Sequence, residues 1–225
     1  MARATVPPRL ELRFLGEIAV LRDGKAVALP PSRKTRALLA YLVLSGRAHR
    51  RERLCELLWD VADDPRAELR WTLTKLRALV DTPSQERLRA DRESVAFAAD
   101  GARVDLLWAR ASAEQGLDRL PTPALREVAA EFRGELLEGL ELPDFLDFHA
   151  WCVAERESAR SLHERVLRAL VPRLEEDVET VLPYARTLVR LAPLDEAARA
   201  HLVHLLATSG RRDEAEQQHD AGVKL

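Results

Sequence analysis

The chain has 225 residues, room for two ordinary domains or one large one, and its 47% hydrophobic content is that of a well-packed globular protein. No run approaches ~20 uninterrupted apolar residues, which excludes a membrane span; the start, MARATVPPRLEL, lacks the apolar core and small-residue cleavage site of a signal peptide. The net charge of −2 conceals a split, with 20 Lys+Arg against 14 Asp+Glu over residues 1–104 and 15 against 23 over residues 105–225, so a polyanionic partner is expected for the first part only.

After a stiff, disordered leader at Val6-Pro7-Pro8, residues Leu10 to Pro30 alternate apolar and polar, and Asp23-Gly24 marks a tight hairpin turn. A small antiparallel sheet is therefore expected first. Ser32 is placed to cap a helix, SRKTRALLAYLVLSG, which Gly46 ends. Past Ala37 this helix is apolar nearly all round, as a central helix should be. A second helix, RRERLCELLWD, carries Leu54, Leu57 and Leu58 on its inner stripe. Asp60 to Asp64 forms a short acidic loop, with Asp64 as cap and Pro65 at the first position of a third helix. Beyond Asp81-Thr82-Pro83-Ser84, RLRAD and SVAFA flank a turn at Arg92-Glu93, and Asp100-Gly101 leads into a short return strand, RVDL. Cys55 and Cys152 sit in apolar helical contexts and read as two buried free thiols in a reducing cytoplasm.

The third helix, AELRWTLTKLRALV, has two faces. Leu69, Leu73, Leu76 and Val80 make a narrow apolar stripe, and the opposite face centres on Trp71 with Thr74, Lys75 and Ala78, flanked by Arg66, Arg70 and Arg77. Only Glu68 opposes the four cations. A plain solvated face mixes signs and avoids tryptophan. Sheet, three helices and a closing hairpin is the order of a winged helix, whose third helix enters the DNA major groove while the hairpin touches the neighbouring backbone. Lys75 and Thr74 are then expected at base edges, Arg66, Arg70 and Arg77 on phosphates, Trp71 on thymine methyls or sugar, and Arg87, Arg89 and Arg92 of the hairpin on the flanking backbone.

The elements LLAYLVLSG, RRERLCELLW, LRWTLTKLRALV and VDL resemble the N-terminal domain of the Streptomyces antibiotic regulatory protein (SARP) family, an OmpR/PhoB-type winged helix, over roughly Leu10 to Leu106. The resemblance implies that the loop with Trp59, Asp60, Asp63 and Asp64 meets RNA polymerase; read from packing alone, Trp59 is a core residue beneath that loop. At Trp71 the family more often carries a small polar residue, and partial cover of the indole by the second domain, with DNA binding altered or lost, is the expectation that this departure raises.

From Leu106 onward strand signals stop, and apolar residues recur at helical spacing through Ala109–Ala113, Ala124–Phe132, Phe145–Val171, Val178–Leu191, Leu194–Ala207 and Ala215–Leu225. Pro172 should end the long segment and Pro183 kink or delay the next. A shift of 34 residues lays Val178–Leu191 on Arg212–Leu225, as in a tetratricopeptide array. The pattern LDEAA…SGRRDEA and the stretch FRGELLEGLELPDFLDFHAWCVAERE resemble the bacterial transcriptional activator domain, the helical partner of the SARP winged helix.

The expected architecture is thus α+β followed by all-α: a winged helix over residues 9–106 and a tetratricopeptide-like helical domain over 107–225, with the native chain expected to continue past Leu225. No phosphate loop and no nucleophile–base arrangement is legible. His201 and His204, one turn apart, lack a third metal ligand. No enzyme, metal or cofactor is expected. The function read from these residues is a cytoplasmic, sequence-specific DNA-binding transcription regulator. It would bind double-stranded promoter DNA at direct repeats as two side-by-side protomers, a homodimer on DNA, and contact RNA polymerase, with no membrane partner. The alternative is a protein-interaction scaffold, or the regulatory module of a larger signalling protein, without DNA binding; a ligand sensor is more remote.

Overall fold

The computed structural model describes residues 10–60, 62–83, 85–174 and 178–223. The leader at Val6-Pro7-Pro8, Ser84 of the expected turn and Lys224 and Leu225 of the expected repeat lie outside them. The chain forms two compact units, residues 1–108 with 132–157, and residues 109–131 with 158–225. Against a sequence boundary expected at residue 106, the structure groups 132–157 with the N-terminal residues.

The first unit opens with β1 (Leu10–Arg13), β2 (Gly16–Glu17), β3 (Ala19–Arg22) and β4 (Lys25–Val27). Asp23 and Gly24 both take positive φ, 51° and 76°, the conformation that the twist of a tight hairpin requires and that Asp-Gly supplies. Helix α1 (Arg33–Ser45) follows; the Ser32 hydroxyl accepts from the Thr35 amide at 3.3 Å, and Gly46 ends the helix at φ 63°. Ala37 through Leu44 are all buried, which makes α1 the central helix. Helix α2 (Arg51–Trp59) packs against α3 (Pro65–Val80). Asp64 caps α3 by accepting from the Ala67 amide at 2.9 Å, with Pro65 at its first position. The stripe Leu69, Leu73, Leu76 and Val80 is buried, joined by Thr72 and Leu79.

A ribbon closes the winged helix. β6 (Leu88–Ala90) and β7 (Ser94–Phe97) pair antiparallel, and β7 also pairs with β5 (His49–Arg50). Asp91 closes the ribbon's turn by accepting from the Glu93 and Ser94 amides at 2.8 and 2.7 Å. These bonds hold the Asp91 carboxyl below its ordinary range.

Two strands depart from the sequence reading. The stretch RVDL is not a return strand of the ribbon: β8 (Ala102–Val104) lies parallel to β1 at the edge of the four-stranded sheet β4-β3-β1-β8. A parallel pair needs a long crossover, and the three helices and ribbon provide it. Strands also do not stop at Leu106, because β9 (Leu136–Glu138) pairs with β2. Gly134 lets the backbones meet there, since a Cβ on it would lie 3.1 Å from the Gly16 Cα.

Asp105, at the start of α4 (Asp105–Glu114), ties these strands to the first unit. The residue is fully buried, and its carboxylate accepts from the amides of Phe14 at 2.9 Å, Leu15 at 2.9 Å and Leu106 at 2.7 Å and pairs with Arg133 at 2.5 Å. Arg156 donates to the carbonyls of Leu136 and Leu137 at 3.0 and 3.1 Å, which fixes β9 from the other side.

The second unit is helical, with α5 (Thr122–Ala130), the later turns of α6 (Leu146–Leu170), α7 (Val178–Leu191), α8 (Glu196–Thr208) and α9 (Arg212–Val223). Pro172 falls in the 3₁₀ turn that ends α6. Pro183 does not delay its helix: it is the sixth residue of α7, and both it and Glu179, whose carbonyl loses a donor, are exposed. α8 packs on both α7 and α9, with Asp195 capping α8 through the Ala198 amide at 3.0 Å. The 34-residue offset pairs two real helices: Val181 and Ala215 are both buried, whereas Val189 is buried and its counterpart Val223 is exposed. Cys55 and Cys152 are free and buried, and burial raises both thiols, Cys152 to about 12.

Burial, and then the Arg190 guanidinium, hold the His163 imidazole at about 4. An unfolded chain therefore takes up a proton here below the ordinary value of 6.5, which the folded chain refuses until about pH 4. Stability from this site is complete above pH 6.5 and lost as pH falls toward 4, a loss of about 2 kcal/mol after allowing for partial exposure. Thermal melts across that range should show the loss in the native chain and a flatter profile in His163→Gln.

Candidate nucleic-acid interface

The outward side of α3 is built by helical spacing. Ala67, Trp71, Thr74 and Ala78 fall on one line, with Arg70 and Lys75 to either side. Trp71 is 62% exposed, and the Lys75 ammonium lies 5.1 Å from the centre of its ring. The Thr74 hydroxyl donates to the Arg70 carbonyl at 3.1 Å, and the residue is exposed. Arg70 is exposed and Arg77 half-buried. Arg66, also exposed, pairs with Glu52 at 3.0 Å, a surface pair weak enough for a phosphate to displace.

The ribbon's three arginines separate. Arg89 on β6 and Arg92 in the turn are exposed. Arg87 is not a surface cation: it is 1% exposed, and its guanidinium donates to the Val80 carbonyl at 3.2 Å. Arg87 precedes β6, so strand alternation does not govern where it points. Burial holds its guanidinium below the ordinary value, while Asp81 opposes that shift. Among the described residues Arg70, Arg77, Arg89 and Arg92 stand in no ion pair.

Arg87 and Arg22 form a device that sequence reasoning missed. Arg22 on β3 donates to the carbonyls of Leu79 and Asp81 at 2.9 and 3.3 Å, so two guanidinium groups meet the unpaired carbonyls at the C-terminus of α3. The Asp81 carboxylate accepts from the amides of Arg87 and Leu88 at 2.8 and 3.0 Å. The outward helix and the ribbon therefore share one anchoring point. Nothing in the local pattern marks Arg22 or Arg87 for this role, because the partners are backbone carbonyls far along the chain.

In the acidic loop, Trp59 is 3% exposed and belongs to the core, which removes it from any contact surface. Asp60, Asp63 and Asp64 are exposed, with Asp64 also serving as the α3 cap; Val61 lies outside the described residues. Among the described residues no group of three or more His, Cys, Asp or Glu side chains is placed to hold a metal, and no helix is long and apolar enough to cross a membrane.

The sequence profile of the bacterial transcriptional activator domain matches residues 99–225. No curated protein matches the chain. Among solved structures, that of Mycobacterium tuberculosis EmbR in complex with a low-affinity phosphopeptide is similar, with a TM-score of 0.64 and 22% identity over 94% of this chain. At that identity the likeness is one of fold, and this chain spans 58% of the EmbR chain. The profile takes in more than half of the sequence, on a fold with a winged helix ahead of helical repeats; the chain belongs to the bacterial transcriptional activator domain family.

Proposed function

We propose that this chain is the DNA-binding and helical part of a cytoplasmic SARP-type transcription regulator. The observation that supports it is the outward side of α3, where an exposed indole stands among cations that the protein leaves without carboxylate partners. In this reading α3 enters the major groove, Lys75 and Thr74 face base edges, and Arg70 and Arg77 take phosphates, as does Arg66 once it leaves Glu52. Arg89 and Arg92 track the neighbouring backbone. Two protomers lie side by side on direct repeats of double-stranded DNA. The exposed carboxylates Asp60, Asp63 and Asp64 face RNA polymerase, and the helical unit places the protomers or relays a signal. Covalent chemistry has no part in it.

Affinity then comes mainly from phosphate neutralisation. With five backbone cations engaged, log K should fall with log salt at a slope near −4.5, so a labelled duplex should bind roughly 500-fold more weakly at 200 than at 50 mM salt. Fluorescence anisotropy measures this directly, and Lys75→Ala should weaken binding at both salts. Absence of binding below ~100 μM at low salt, where even non-specific contacts register, overturns the proposal. The reading left would be a protein-interaction scaffold. What favours that second reading is a cavity of about 650 Å³ lined by Pro193, Leu194, Val203 and Val223, two of which, Leu194 and Val223, are strongly exposed.

A further inference from the structure

We propose that Trp71 makes the outward side of α3 a reader of thymine methyl groups, so that base selection at its centre rests on apolar contact and not on a hydrogen-bond code. This rests on the DNA-binding reading above.

The residues that share Trp71's line are Ala67, Thr74 and Ala78, and none of them extends a polar group that donates to a base edge. Thr74 is the sole hydroxyl among them, and its proton is already given to the Arg70 carbonyl at 3.1 Å. The indole is therefore the tallest group on a line of methyls, and it is 62% exposed. An indole face offers no acceptor and its single N–H lies at one edge, so it cannot discriminate guanine from adenine as a guanidinium or an amide does. What it distinguishes in the major groove is the C5-methyl of thymine, the apolar feature of that surface.

Lys75 supports this arrangement. Its ammonium lies 5.1 Å from the ring centre, which keeps the charge beside the indole, at the base edges assigned to it above. Arg70 stands on the other side of the line without an ion pair. An apolar centre flanked by cations complements a groove with methyls on its floor and phosphates along its walls.

The test begins by selecting duplexes from a randomised 24-base-pair library with the chain at low salt. The recovered site is then synthesised with each thymine in turn replaced by deoxyuridine, which removes one methyl and keeps the pairing. One or two positions should weaken by about fourfold each, the effect of losing one buried methyl. In Trp71→Ala, which should melt at the native temperature because the side chain is exposed, the same replacements should change nothing further. If every replacement is silent, or costs Trp71→Ala as much as the native chain, the thymine reading is wrong while DNA binding stands. If no duplex is retained even at low salt, both readings fall.

Discussion

Replacing Asp105 by alanine is expected to destabilise the first unit by about 3–5 kcal/mol. The carboxylate is buried and serves three backbone donors at once, the amides of Phe14, Leu15 and Leu106, in addition to the Arg133 guanidinium. Alanine leaves those amides buried without this acceptor, and water has no access to replace it. Asparagine keeps one acceptor oxygen but turns an N–H₂ toward other donors, so Asp105→Asn should cost about 2 kcal/mol. Urea unfolding followed by circular dichroism would give these differences, and a thermal melt should fall by roughly 10 °C for alanine. Arg133→Ala should cost less than Asp105→Ala, since it removes one partner of a carboxylate that retains three. An Asp105→Ala protein with native stability would show that the strands around Phe14 are held by something other than this residue.

The second large effect concerns charge on the outward side of α3. Reversing Arg70 and Lys75 together, to glutamate, should weaken binding to duplex DNA by roughly a hundredfold at intermediate salt and reduce the salt slope by about 1, since of the two only Arg70 is assigned to a phosphate. The melting temperature should hardly move, because neither residue closes an ion pair in the described structure. Arg87→Ala is the informative contrast. It removes a guanidinium from the Val80 carbonyl and frees the C-terminal turn of α3, so its primary effect should be on stability. A double reversal that leaves DNA affinity and salt slope unchanged would detach α3 from the interface.

The local signals in the sequence were those that a few neighbouring residues can carry. Ser32 and Gly46 bound α1, Asp64 and Pro65 start α3, and Asp23-Gly24 sets its hairpin because each acts on a backbone within four residues of itself. The buried stripe of α3 was legible for the same reason, and with it the outward position of Trp71. What escaped were pairings across long stretches of chain. β8 and β9 are three residues each, too short to show a period, and their places are set by partners near residues 10–17. Arg87 and Asp105 escaped for a related reason. A charged side chain reads as exposed until its partner is known, and here the partners are main-chain groups brought together only by the fold.

The first unit is not a contiguous stretch, because it needs residues 132–157 to supply β9 and the Arg133 and Arg156 contacts. During synthesis, the portion up to Trp108 therefore waits for 30 more residues, to Glu138, before its last strand can pair. At bacterial elongation speeds that is an interval of about two to six seconds, during which the edge of β2 and the Phe14 carbonyl, which later accepts from the Leu137 amide, are uncovered on the ribosome. A nascent chain stalled inside that window would expose a strand edge open to annealing with a neighbour, and shortened versions ending near Leu106 would carry the same defect permanently.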